Sequence, residues 1–252
     1  VTSRLVALAC AALLSSGCAR ALFGRGTPYQ PFPAPAVGVT VEDRDGLLVV
    51  RPPDDAAARP LLFLHGFAAR PEGYRFTLEQ LAARGFVVYA PTLPDYFIGR
   101  IGFHASVVEA ANVAWALARD ERQAAPVVVG HSMGGGAALH VAAARGAPAV
   151  LWAPIELDLD TPTPRAPLLV LIADHDCIVK ERPEALVTSL HGAAERALVP
   201  GNHVGFTDMS GGERFDCPSP VSRDAQRLDA IERTAAFLSP PPPVERRAAS
   251  SP

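Results

Sequence analysis

The sequence predicts an α/β fold, a mainly parallel central sheet with helices on both faces, and three observations predict it. Short apolar runs rich in Val, Leu and Phe alternate with longer helix-like segments from residue 61 onward, the order that calls for a parallel sheet covered on both sides. One of those runs, Val127-Val128-Val129, passes through Gly130-His131-Ser132-Met133-Gly134-Gly135-Gly136 into a small, apolar, helix-forming stretch at 137–144. The chain of 252 residues is long enough for one large domain with a buried core, and it shows no internal repeat.

In chain order, residues 1–17 read as a signal peptide. Arg4 supplies a basic start, Leu5 to Leu14 form an apolar run too short to span a bilayer, and Ser15-Ser16-Gly17 follow. Residues 18–36, rich in Pro, Gly and Ala, read as a tether. The domain is expected over 37–239, and the Pro/Ala/Ser-rich stretch 240–252 as a disordered tail. Val37–Val41 and Leu47–Val50, separated by the polar 42–46, suggest an edge hairpin. After a polar loop at 52–60 come a strand at 61–64 and a helix at 73–84 stopped by Gly85. A strand at 86–89 and a helix at 104–120 follow, the latter with Val107, Val108, Ala111, Trp115 and Leu117 on its core face. Pro126 introduces the strand before Ser132. Further strands are expected at 149–152, 168–172 and 196–199, and helices at 181–191 and 221–238.

Composition narrows the function. Hydrophobic residues make up 49% and charged residues 19%, the net charge is −3, and Lys180 is the only lysine. Without a basic run, nucleic acid is not an expected partner. Of four cysteines, Cys10 lies in the signal, and Cys18, directly after the signal, is a candidate for lipidation. Cys177 and Cys217 are then an even pair in a chain read as exported, either a disulfide or two unrelated thiols.

Strand, Gly-x-Ser-x-Gly, helix is the context of a nucleophile elbow. So tight a turn holds Ser132 at a strained backbone angle, and Gly130 and Gly134 flank it because a Cβ would collide across the turn. The hydroxyl is pushed clear of the sheet. The Met133 amide stands at a helix N-terminus, free to bind a developing oxyanion. The plain alternative is a glycine-rich turn carrying an ordinary serine. A serine hydroxyl is a weak nucleophile at neutral pH, so the chemistry also needs a base and a group to orient that base.

From about residue 40 to 239 the chain resembles the α/β-hydrolases, and three more segments carry the resemblance. His65-Gly66-Phe67 is similar to the family turn that lends an oxyanion amide, which implies the Phe67 N–H as partner to that of Met133. Ala173-Asp174-His175-Asp176-Cys177-Ile178-Val179-Lys180 resembles the family's Gly-x-x-Asp-x-Ile-Val-Pro and implies Asp176 as the acid. Ala173 and Lys180 depart from it and keep Asp174 as a second candidate. Gly201-Asn202-His203 resembles the family's histidine loop, so the implied triad is Ser132, Asp176, His203, in the chain order of the fold. The resemblance implies no cofactor and no metal. His65 and His131 read as structural motif positions, while His104, His140, His175 and His191 lack metal-ligand spacing. Leu14-Ser15-Ser16-Gly17-Cys18 resembles the bacterial lipobox, although its Leu stands four places before the Cys rather than three. It implies lipidation of Cys18 and a membrane anchor, with Ala19 favouring the outer membrane. Plain secretion, or an unmodified thiol, is the alternative.

Only about fifteen residues, 153–167, separate the strand ending at Trp152 from the next. No large cap fits there, so an open site for bulky or lipid-like esters is expected. That resembles the lid-less branch with cutinase, polyester hydrolases, chlorophyllase and dienelactone hydrolase. Phe67, Met133 and the Tyr96-Phe97-Ile98 loop are the acyl-pocket candidates, and Trp152 reads as core. The expected function is an exported serine esterase working through an acyl-enzyme. An acyltransferase or thioesterase of the same fold, and a non-catalytic binding lipoprotein, are the alternatives.

Overall fold

Leu61 and Phe63 point to one core cluster, and Leu62 and Leu64 to another, on opposite faces of the strand they share. That alternation of buried side chains is what a strand covered on both sides requires. The computed structural model describes residues 36–94, 102–179, 182–190, 193–209 and 213–239. Residues 1–35, with the expected signal, most of the expected tether, Cys10 and Cys18, lie outside the described residues, as do Tyr96–Ile98, Lys180, His191 and the stretch 240–252 expected as a tail.

The strands are β1 (Thr40–Arg44), β2 (Leu47–Arg51), β3 (Arg59–Leu64), β4 (Phe86–Pro91), β5 (Val127–His131), β6 (Ala149–Trp152), β7 (Leu168–Ala173) and β8 (Glu195–Val199). They form one sheet in the order β1-β2-β4-β3-β5-β6-β7-β8. β1 and β2 run antiparallel and β2 joins β4 antiparallel, while every later pairing is parallel. Helices α1 (Arg75–Ala82) and α5 (Arg223–Leu238) pack on the Phe63 face. Helices α2 (Phe103–Arg122), α3 (Met133–Arg145) and α4 (Arg182–Ser189) pack on the Leu64 face. Residues 153–167 hold neither helix nor strand, so no large cap stands over the sheet. Among the described residues no helix is long and apolar enough to cross a membrane.

The edge hairpin differs from the expected one. Residues 37–38 form a turn, and the strand runs instead through the polar Thr40–Arg44. The connection is the pair Asp45-Gly46, both at positive φ (52° and 84°), the two-residue hairpin turn that Asp-Gly favours. Glu42, Asp43 and Arg44 belong to the strand because an edge strand leaves polar side chains in water. The expected 73–84 helix also divides, into a 3-10 turn at Pro71–Tyr74 and the α-helix from Arg75. Pro71 starts the turn, and the Asp208 carboxylate accepts the Phe76 amide where α1 begins. Trp152 is fully buried, with its indole N–H on Thr234 Oγ1 at 3.0 Å.

Candidate active site

The parallel strands all end on one side, and four of the connections leaving them converge there. His65-Gly66-Phe67 follows β3, Ser132 follows β5, Asp176 follows β7 and His203 follows β8. The crevice beyond the carboxyl ends of parallel strands is the usual ligand site of such sheets.

Ser132 sits between β5 and α3 at φ 55° and ψ −120°, a conformation that costs about 1–3 kcal/mol and persists only where its surroundings impose it. Here they do. The Ser132 amide donates to the Trp152 carbonyl at 2.9 Å, while its own carbonyl accepts from Gly136 and Ile155 at 3.1 Å each. A Cβ at Gly130 would stand 2.1 Å from the Gly134 carbonyl oxygen, and one at Gly134 2.2 Å from that of Leu64. Neither position admits a side chain, so the two glycines are what let the turn close.

His203 is buried, and its Nδ1 lies 2.8 Å from Asp176 Oδ2. The other oxygen of Asp176 accepts the amides of Ile178 and Val179, both at 2.9 Å. With three N–H groups pointing at it, Asp176 acts purely as acceptor. His203 therefore carries its proton on Nδ1 and offers the Nε2 lone pair. Asp174 faces elsewhere: its Oδ1 meets His175 Nδ1 at 2.7 Å and accepts the Gly201 amide at 2.9 Å. Of the two acid candidates, the structure sets Asp176 against the histidine.

Ser132 and His203 line one cavity of about 140 Å³ together with Gly66 and Phe67. The Met133 side chain does not line it. Contrary to its place among the acyl-pocket candidates, it is buried in the core on the Leu64 face, because the first turn of α3 packs that side chain inward. Its amide keeps its position at the helix N-terminus, where N–H groups lack intrahelical acceptors. The Phe67 amide has no backbone acceptor among the described residues.

Two sets of contacts hold this geometry, and motif reading missed both. Tyr74 Oη accepts the Gly66 amide at 3.0 Å and donates to His131 Nδ1 at 2.7 Å. The His131 ring lies against that of His203, with centroids 4.6 Å apart. Burial, and the charge His203 can carry, push His131 well below the usual imidazole range, with the His203 backbone carbonyl opposing weakly. His65 is fixed alongside. Its Nε2 accepts the Leu93 amide at 2.8 Å and its Nδ1–H donates to the Gly66 carbonyl at 2.8 Å. Both motif histidines are thus neutral supports of the Gly66 turn.

The second set joins the acid and histidine loops. Asp216 Oδ1 accepts the amides of Cys177 and Cys217, and Oδ2 accepts that of Val204, each at 2.9 Å. Cys177 and Cys217 form a disulfide. Asp216 carried no signal, since an aspartate beside a cysteine is common in loops. Tyr74 was hidden inside an expected helix. Of the other histidines, His104 Nδ1 accepts the Asp158 amide at 2.8 Å, His140 is half-buried and His175 pairs with Asp174. Among the described residues, no group of three or more His, Cys, Asp or Glu side chains could hold a metal ion.

Residues 61–251 match a protein family described as the alpha/beta hydrolase family. No curated protein matches the chain in sequence. Among solved structures, a dienelactone hydrolase from Anabaena variabilis superposes with a TM-score of 0.60 at 18% identity, over 79% of this chain and 97% of that one. A thermostable esterase from Pseudomonas putida gives 0.56 at 16%, over 81% and 85%. TT1662 from Thermus thermophilus gives 0.57 at 17%, over 80% and 99%. At these identities the likeness is one of fold.

Proposed function

The chain belongs to the alpha/beta hydrolase family, and from that premise we propose that it is an exported serine esterase that hydrolyses carboxylic esters through an acyl-enzyme. One observation carries this reading. A serine held at positive φ before a helix shares a cavity with a histidine whose Nδ1 is bound to a buried, fully engaged aspartate. A structural serine needs neither the strain nor the oriented base.

In the proposed cycle, Ser132 Oγ attacks the ester carbonyl carbon as His203 Nε2 takes the hydroxyl proton. Asp176 keeps the other nitrogen protonated and stabilises the charged ring. The carbonyl electrons move onto oxygen, which the Phe67 and Met133 amides receive, a contribution of ~3 kcal/mol per donor. The intermediate collapses, the C–O bond to the alcohol breaks, and His203 returns its proton to the departing oxygen. Water then repeats the sequence on the acyl-serine. It gives its proton to His203, releases the carboxylic acid and restores Ser132, so that ester and water yield acid and alcohol. The dienelactone hydrolase and esterase named among the similar structures support ester-type chemistry through their fold.

The disulfide supports export, because such bonds persist in oxidising compartments. We read Cys18 as the lipidated residue that anchors the protein. Radiolabelled palmitate incorporated by the full-length chain and lost in Cys18→Ser checks the anchor, and absence of label leaves a plainly secreted enzyme.

The enzymatic reading is tested by a fluorophosphonate probe together with p-nitrophenyl acetate hydrolysis. The expected result is covalent labelling at Ser132, with turnover falling at least a thousandfold in Ser132→Ala. A folded protein that neither labels nor turns over is a binding lipoprotein. Acyl transfer to an added alcohol or thiol that outcompetes water reassigns it as an acyltransferase.

A further inference from the structure

The cavity beside Ser132 is small, and its walls are apolar in effect even where their residues are polar. It holds about 140 Å³. Beside Phe67, Ser132 and His203, its lining includes Ala69, Tyr74, His131, Thr207 and Met209. The Tyr74 hydroxyl is committed to the Gly66 amide and to His131. The Thr207 hydroxyl donates to the Val204 carbonyl at 3.0 Å and accepts the Met209 amide at 3.3 Å. Neither hydroxyl is left to solvate a polar or charged substituent, His131 Nδ1 is taken by Tyr74, and its Nε2 is buried out of reach of solvent. Stripping such a substituent of water without a partner is costly. What these walls favour is hydrocarbon.

Size sets the second limit. A dry apolar cavity of about 150 Å³ accepts one benzene molecule, so a space of this volume takes about six carbon atoms. Met209 is the unbranched, flexible side chain in that lining. Its side chain is wedged against Gly73, where a Cβ would stand 2.7 Å from Met209 Cγ and 3.0 Å from Sδ. Thioether side chains are unbranched and fill irregular gaps. Truncating this one opens space without disturbing the serine, the histidine or the two amides.

We propose that this pocket receives one arm of the ester as a hydrocarbon group of no more than about six carbons, and that Met209 sets the limit. The inference rests on the esterase reading and narrows it from esters in general to esters with one short apolar arm. It departs from the bulky, lipid-like substrates that the short 153–167 connection alone suggests. The other arm leaves through the open side of the site.

The test crosses two series on the full chain: p-nitrophenyl esters with acyl chains from acetate to palmitate, and acetate esters with alkyl chains of matching length. In the series whose variable arm enters the pocket, kcat/KM is expected to fall at least tenfold between four and eight carbons. Met209→Ala should move that break two or three carbons longer and raise the eight-carbon rate at least tenfold relative to the four-carbon rate. Met209→Leu, similar in volume, should keep the parent profile and shows that the site survives substitution. The series that shows the break identifies the arm as acyl or alkyl. A profile flat or rising toward sixteen carbons in both series, or a break unmoved by Met209→Ala, overturns the assignment while Ser132 still labels with fluorophosphonate. Failure of that labelling removes the esterase reading and the pocket's role together.

Discussion

Tyr74 and His131 are 57 residues apart in the chain and 2.7 Å apart in the fold. Through the hydroxyl between them, the turn that presents the Phe67 amide is braced against the residue preceding Ser132. Tyr74→Phe keeps the ring and its packing on Phe63, at 5.0 Å between centroids. It leaves the buried Gly66 amide without its acceptor and His131 Nδ1 without its donor. Each such loss costs about 1–3 kcal/mol. Urea unfolding should therefore show a loss of roughly 2–6 kcal/mol. Because Phe67 follows Gly66 directly, kcat should also fall about tenfold, the rate equivalent of ~1.4 kcal/mol lost from a donor's contribution, with KM little changed. Stability lost at full kcat would make Tyr74 a packing residue and nothing more. Ser132 could be read from its strand–turn–helix context, whereas Asp176 and His203 came only through the family motifs that their loops resemble; the structure brings the three candidates together at one site. Tyr74 and Asp216 could be read in neither way. Their partners come from distant segments, and nothing local distinguishes them from any tyrosine in a helix or aspartate in a loop.

The loops after β7 and β8 carry Asp176 and His203, and the structure ties them twice, through Asp216 and through the Cys177–Cys217 disulfide. The bridge closes a separation of 40 residues, for which restriction of the unfolded chain is worth about 4 kcal/mol. Reduction, or Cys177→Ser, should lower the melting temperature by roughly ten degrees or more, read by scanning fluorimetry with and without dithiothreitol. Since Cys177 directly follows Asp176, activity should fall below the unfolding temperature as well. An unchanged melting temperature would mean that Asp216 and the surrounding packing hold the loops unaided. The pairing stayed open in sequence because spacing alone does not show whether two cysteines meet. The strands beneath the loops were far more legible. Leu61–Leu64 and Val127–Val129 are unbroken apolar runs between turn residues, too short for a buried helix and matched by a doubly covered strand. The edge hairpin misled for the opposite reason. β1 faces water, and its Glu42, Asp43 and Arg44 look like a turn unless Asp45-Gly46 is recognised as a complete one.

His65 and His131, both buried, stand where parallel strands end, and the second makes the whole fold sensitive to mild acid. His131 ends the central strand β5. It is neutral in the folded protein because burial, and then the charge that His203 can carry, hold its pKa well below the ordinary 6.5. Half-buried His140, near His104, is lowered in the same direction. An unfolded chain takes up these protons near pH 6.5, whereas the folded one resists. Above that pH the two states bind the same number at these sites, and stability is unaffected by them. Below it the unfolded state binds more, and stability falls as pH falls, by up to ~1.4 kcal/mol per unit for each such group. Urea unfolding at pH 7.5, 6.5 and 5.5 should give a plateau followed by a decline, before most carboxylates titrate. His131→Asn should remove much of that slope even if its stability at pH 7.5 is lower. A stability that rises on acidification would show His131 charged in the fold, and the Tyr74 hydroxyl could then no longer donate to Nδ1. The fold class was legible from the alternation of segments along the chain. This acid sensitivity was not, because it depends on how far water is excluded around a single ring, which only the packed sheet determines.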